Sequence, residues 1–137
     1  MSLFRIVYVS DAVGGAGDSL LALIDIIGVS DRNNRRDHLT GVLMRRGGRF
    51  FQAIEGARID LDRLMGRIRA DRRHANIRIL ADAPIEQRLF AGQPMAQLEA
   101  PPALESLLTD ESLDDPAIEM RAERLLADAS QAMMVLS

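Results

Sequence analysis

The chain has no cysteine and no tryptophan, only one tyrosine and two histidines, and no long apolar run. Without cysteine, disulfides, zinc ribbons and thiol catalysis are excluded. His38 and His74 show no HxxxH spacing, so no metal centre is expected. No segment approaches the ~20 apolar residues that span a bilayer. The opening MSLFRIVYVS has a single arginine and no cleavage motif, so it is not read as a signal peptide. A cytoplasmic protein with no membrane association is expected. The net charge of −3 and the pI of 5.4 argue against nonspecific nucleic-acid binding, which needs a basic surface to release counterions.

What is present is one domain's worth of chain, 137 residues with 47% hydrophobic and 27% charged, as in soluble globular proteins. Two polar side chains interrupt apolar strands. Tyr8 lies in LFRIVYVS and Gln52 in FFQAIEG (50–56). A buried phenol or amide without a partner costs about 1–3 kcal/mol, so these two are expected to satisfy each other or a buried polar ligand. With no tryptophan in the chain, Tyr8 is also the side chain most readily oxidised by an excited chromophore.

Residues 3–10 alternate, with Phe4, Ile6 and Tyr8 on one face and Arg5, Val7 and Val9 on the other; both faces are mostly apolar, which reads as an interior strand. The glycine-rich loop that follows (Gly14, Gly15, Gly17) lacks the third glycine of GxGxxG and the lysine of a phosphate loop, and reads as a lead-in to a helix. Asp18 or Ser19 caps that helix, LLALIDIIG, which ends at Gly28. GVLMRR and RFFQAIEG flank Gly47 and Gly48, a hairpin signal. In the second arm Phe50, Gln52 and Ile54 share one face, and Phe51, Ala53 and Glu55 the other. Asp60 is expected to cap a helix whose Leu61, Leu64, Met65 and Ile68 recur at i, i+3, i+4 and i+7. NIRILAD reads as a fourth strand broken at Pro84, and RLFAGQPMAQL (88–98) as a fifth, interrupted by Gly92 and Pro94.

The order β-α-β-β-α-β-β predicts an α+β, ferredoxin-like sheet with two helices on one face. Pro101-Pro102 ends this unit, dividing the chain into a domain over 1–100 and an extension over 101–137 with two C-terminal helices, one over 103–108 and a longer one opened by Asp115-Pro116. The apolar stripe of the longer helix, Ile118, Ala122, Leu125, Leu126, Ala129 and Met133, needs a surface to cover, either the free face of the sheet or a partner subunit.

Four segments together resemble the BLUF family, blue-light sensors that use a flavin. They are YVS (8–10), NN followed by LTG (33–41), FFQAIEG (50–56) and IRADRRH (68–74), and the resemblance runs from about Leu3 to Leu98. Alone, each has a plain reading: a core tyrosine, a loop asparagine pair, a solvated arginine cluster, a helix-ending Asp71 and His74, an ordinary core Met95. Together they imply that Tyr8 is the photochemical tyrosine, Gln52 the switching glutamine, Asn34 a hydrogen-bonding partner of the flavin ring and Met95 a neighbour on the last strand. Asn33, Asp71, Arg73 and His74 are further candidates for flavin binding.

A flavin edge presents donors and acceptors that need partners when buried, and the amides of Asn33, Asn34 and Gln52 suit it. Ile24, Ile27, Leu64 and Ile68 would flank the rings. Arg32, Arg35, Arg36, Arg72 and Arg73 are candidates for the ribityl phosphate, since arginine matches phosphate with a planar fork.

The resemblance implies a photoreceptor without catalytic residues. Excited flavin takes an electron from Tyr8, a proton follows through Gln52, and the pair recombines with the Gln52 amide rotated or tautomerised, leaving a small red shift. FAD is the expected flavin, with FMN and riboflavin left open. An unidentified downstream protein partner and a homodimer or higher homo-oligomer are expected. The about 35 residues beyond Pro101 are fewer than the ~50 of the smallest domains, so no output domain is expected among them. One departure stands out: the family's W-x-M pattern is here Gln93-Pro94-Met95, which bears on the output strand and would add a second amide near the flavin. Two rival readings stay open, a flavin-dependent enzyme and a ferredoxin-like interaction module without a chromophore.

Overall fold

The computed structural model describes residues 2–12, 38–46, 48–70, 74–93, 96–97 and 101–136. The helix expected over 18–28 lies outside them.

Five strands form one sheet in the order β4-β1-β3-β2-β5. They are β1 (Leu3–Ala12), β2 (Thr40–Arg46), β3 (Arg49–Gly56), β4 (His74–Ile85) and β5 (Ala96–Gln97). β1 is antiparallel to β3 and β4, β2 is antiparallel to β3, and β5 runs parallel to β2. The sheet and the helix after β3 match the ferredoxin-like α+β plan. β1 and β3 sit at its centre because their β-branched and aromatic residues bury on both faces.

Helix α1 (Arg58–Ala70) covers one face. Its Leu61, Leu64, Met65 and Ile68 pack on Ile6, Tyr8, Leu43, Phe50 and Ile54. The helix starts two residues ahead of Asp60, the expected cap, which instead sits in the first turn, where a carboxylate suits the positive end of the dipole. The opposite face carries a second core. Val7, Val9, Val42, Met44, Phe51 and Ala53 meet Leu104, Leu107, Leu108, Leu113, Ala122, Leu125 and Leu126 of the C-terminal segment. That segment holds α2 (Pro102–Leu107), a single turn α3 (Asp110–Leu113) that the sequence pattern did not predict, and α4 (Ile118–Leu136). Asp115 opens α4: its Oδ1 accepts a hydrogen bond from Ala117 N at 2.9 Å.

Two strand expectations are corrected. β4 does not break at Pro84 but runs through it, with Pro84 opposite Phe4. β4 lies at the sheet's edge, where a residue whose nitrogen faces outward forfeits no ladder bond. Among the described residues β5 holds Ala96–Gln97, and Arg88–Phe90 do not belong to it. Gly92, at φ 82, turns the chain there, a conformation open to glycine.

β4 also slips twice against β1. Its partner jumps from Ala81 to Ile79 as β1 steps from Val7 to Tyr8, and from Arg78 to Ala75 between Val9 and Asp11. Each slip inserts one extra β4 residue, a bulge. The first explains why the neighbours Leu80 and Ala81 both enter the same core. At the second, Asn76 adopts φ 54, which asparagine tolerates, and its Nδ2 donates to Asp11 Oδ2 at 2.9 Å.

Candidate functional site

The face under α1 brings Tyr8 and Gln52 together. They are register partners on β1 and β3, with Leu43 of β2 opposite Gln52. The pairing follows from the alternation of the two strands, which sends both side chains to one side of the sheet. Tyr8 is 0% and Gln52 3% exposed, and the Tyr8 hydroxyl donates a hydrogen bond to Gln52 Oε1. With Oε1 engaged by the phenol, the other end of the amide, Nε2, is a donor. Leu64 and Ile68 of α1 belong to the same cluster as Tyr8. At the start of β1, the Arg58 guanidinium lies 5.1 Å from the Phe4 ring centroid. The hydrogen bond to Asp82 raises the pKa of Arg58 above its ordinary value, against the lowering effect of burial.

The structure thus unites Tyr8, Gln52, Leu64 and Ile68. His74 begins β4 and pairs with Ala12. Asn33, Asn34, Ile24, Ile27, Asp71, Arg73 and Met95 lie outside the described residues, as do Arg32, Arg35, Arg36 and Arg72. Gln93 is exposed, and its backbone O accepts from Gly41 N at 2.9 Å.

Sequence reasoning missed two features. Arg45 falls on the Leu43 side of β2, since Val42 and Met44 enter the opposite core. Its buried Nε has no hydrogen-bond partner among the described residues. The second is an ion pair on the other face. Arg5 and Glu55 are register partners, 6% and 0% exposed, and Arg5 Nη2 lies 2.9 Å from Glu55 Oε2. The signal for this pair was available: opposite charges on the same face of two apolar strands.

The family profile for BLUF, sensors of blue-light using FAD, matches residues 3–96, from β1 to the first residue of β5. The chain belongs to the BLUF family. It is 30% identical over 112 residues to photoactivated adenylate cyclase subunit beta of Euglena gracilis, an alignment covering 78% of this chain and 13% of that protein. Among solved structures, the photo-activated state of BlsA matches with a TM-score of 0.79 and 26% identity, over 93% of this chain and 94% of BlsA. The BLUF protein BlrB in its dark state matches with a TM-score of 0.75 and 29% identity, over 93% of this chain and 97% of BlrB. A bacterial light-regulated adenylyl cyclase matches with a TM-score of 0.67 and 33% identity, over 98% of this chain but 35% of the cyclase. The chain therefore spans a minor part of the cyclases and nearly all of BlsA and BlrB. A BLUF unit is a flavin-binding light sensor and not itself an enzyme.

The residues present fit a flavin. The ring system is flat and apolar on its faces, with donors and acceptors along its edge. Here a buried amide, a buried phenol and an unmatched arginine Nε share one sheet face with the apolar Leu43, Leu64 and Ile68. An apolar wall with a few convergent polar groups is the composition of a small-ligand site. Among the described residues no group of acidic, histidine or cysteine side chains could hold a metal ion, and no helix is long and apolar enough to cross a membrane.

Proposed function

We propose that this protein is a blue-light photoreceptor switched by Tyr8 and Gln52. The observation that carries the reading is the buried hydrogen bond from the Tyr8 hydroxyl to Gln52 Oε1 on the face that suits a flavin. When bound, the flavin supplies the chromophore and, once excited, an electron acceptor. Tyr8 gives up an electron, and its phenolic proton has an acceptor already in place in Gln52 Oε1. A protonated or rotated amide exchanges the donor and acceptor ends that Gln52 offers its surroundings. Burial holds both side chains at one position and keeps water from competing for the phenolic proton. The electron and the proton then return to Tyr8, so no group ends oxidised or reduced, and the persistent product is a Gln52 amide left rotated or tautomerised in a rearranged hydrogen-bond network.

FAD is the proposed flavin. Asn33, Asn34, Asp71, Arg73, His74 and Met95 join Tyr8 and Gln52 as its proposed contacts, and Ile24, Ile27, Leu64 and Ile68 flank it. The proposed division is a flavin-binding unit over 1–100 and a C-terminal extension over 101–137 that reads out the switch. The output is a change in how that extension meets a partner protein or a second copy of the chain, in the cytoplasm.

A dark-minus-light absorption spectrum of the purified, flavin-loaded protein tests the reading. A reversible red shift of the flavin band is expected. A band that instead bleaches with a nicotinamide cofactor would point to a flavin enzyme, and the absence of any flavin band to a module without chromophore.

A further inference from the structure

The proposed photochemistry uses one face of β3, yet a side chain of that strand that accepts five hydrogen bonds, Glu55, faces the other way. Glu55 is three residues after Gln52 and completely buried. Its Oε2 accepts from Arg5 Nε at 3.1 Å, Arg5 Nη2 at 2.9 Å and Leu89 N at 2.8 Å. Its Oε1 accepts from Phe90 N at 3.0 Å and Thr40 Oγ1 at 3.2 Å. One carboxylate thus ties β1, β2, β3 and the chain between β4 and β5.

Both outer members of this cluster reach α4. Arg5 Nη1 donates to Glu123 Oε2 at 2.7 Å, and Ser130 Oγ donates to Leu89 O at 2.8 Å. Glu123 and Ser130 lie seven residues apart, two turns along one side of the helix. The segment ahead of β5 is also fastened to the switching strand directly, by Arg88 Nη1 donating to Glu55 O at 3.1 Å.

Separating a buried carboxylate from its guanidinium is costly, and each lost donor adds to the cost. The cluster therefore moves as a unit or rearranges as a unit. We propose that Glu55, with Arg5, is the positioning group that carries a change at Gln52 through the sheet to α4 and to the chain ahead of β5. This rests on the photoreceptor reading above. Glu55 touches neither Tyr8 nor the flavin face; it acts through the strand it shares with Gln52.

The test is hydrogen exchange of the full, FAD-loaded chain in the dark and under blue light, with the absorption shift recorded on the same samples. Wild type is expected to show a light-induced red shift and a severalfold lit-over-dark change in exchange at residues 118–130. Glu123→Gln, a change at a part-exposed position that leaves the core intact, should keep the full red shift and lose more than half of that exchange difference. Glu55→Gln should lose it there and at residues 88–93 as well. A merely structural role would raise exchange equally in dark and light and leave the difference intact. A wild-type-sized difference in Glu123→Gln overturns the proposal, as does a wild-type α4 that exchanges identically in dark and light despite a red shift. A wild type with no red shift overturns the photoreceptor reading and this proposal together.

Discussion

Gln52 and Glu55 stand three residues apart on β3 and point to opposite sides of the sheet, one into the core with Tyr8 and the other into the cluster with Arg5. A single strand therefore carries both the amide proposed to switch and the carboxylate whose partner Arg5 is bonded to the C-terminal helix. The consequences separate by face, and so do the experiments.

Tyr8→Phe keeps the ring and its packing but removes the hydroxyl that donates to Gln52. The variant should purify yellow with its flavin and show no light-induced red shift. A shift of wild-type size in the difference spectrum would show that another group starts the reaction.

Gln52→Leu removes the acceptor of a buried phenol. A lost buried hydrogen bond costs about 1–3 kcal/mol, so urea denaturation should show a loss in that range together with the loss of the red shift. Unchanged stability would mean that the Tyr8–Gln52 contact contributes nothing to the fold.

Leu126→Ala empties a site with 0% exposure in the core under α4. The expected cost is about 2–5 kcal/mol, from lost transfer energy and the cavity left behind. Because this core lies across the sheet from Tyr8, the flavin band of the folded variant should keep its red shift. Loss of the shift at full folding would contradict the separation of the two faces.

Gly41→Ala places a methyl 2.1 Å from Ala53 O, a backbone atom with little room to yield. β2 and β3 must part locally, and the Gly41 N bond to Gln93 O shifts with them. A loss of about 1–3 kcal/mol in thermal or urea unfolding is expected. A variant as stable as wild type would show that the hairpin tolerates the separation.

Much of this was legible in the alternation of β1 and β3. Period-two patterns put Phe4, Ile6 and Tyr8 on one face and Arg5, Val7 and Val9 on the other, and the structure keeps both sets. The i, i+3, i+4, i+7 stripe of Leu61, Leu64, Met65 and Ile68 is the buried face of α1. What stayed hidden depends on strand order and register. Pro84 read as a stop because a missing N–H is tolerated within a strand chiefly at outward-facing edge positions, and nothing local says that β4 is an edge. The Arg88–Phe90 segment read as strand by its apolar residues, yet its Leu89 and Phe90 amides are spent on a side chain from β3. Arg5 and Glu55 were each visible as a charge in an apolar strand; only the pairing of β1 with β3 makes them one object.

The two slips in β4 and the proline within it bear on assembly as well as packing. Sheets grow when a straight edge offers an unbroken row of free N–H and C=O groups to a second chain. β4 offers a row interrupted by two bulges and by Pro84. That border is a poor template for polymerisation, and a second chain meeting it would rely on side chains rather than on a continuous ladder.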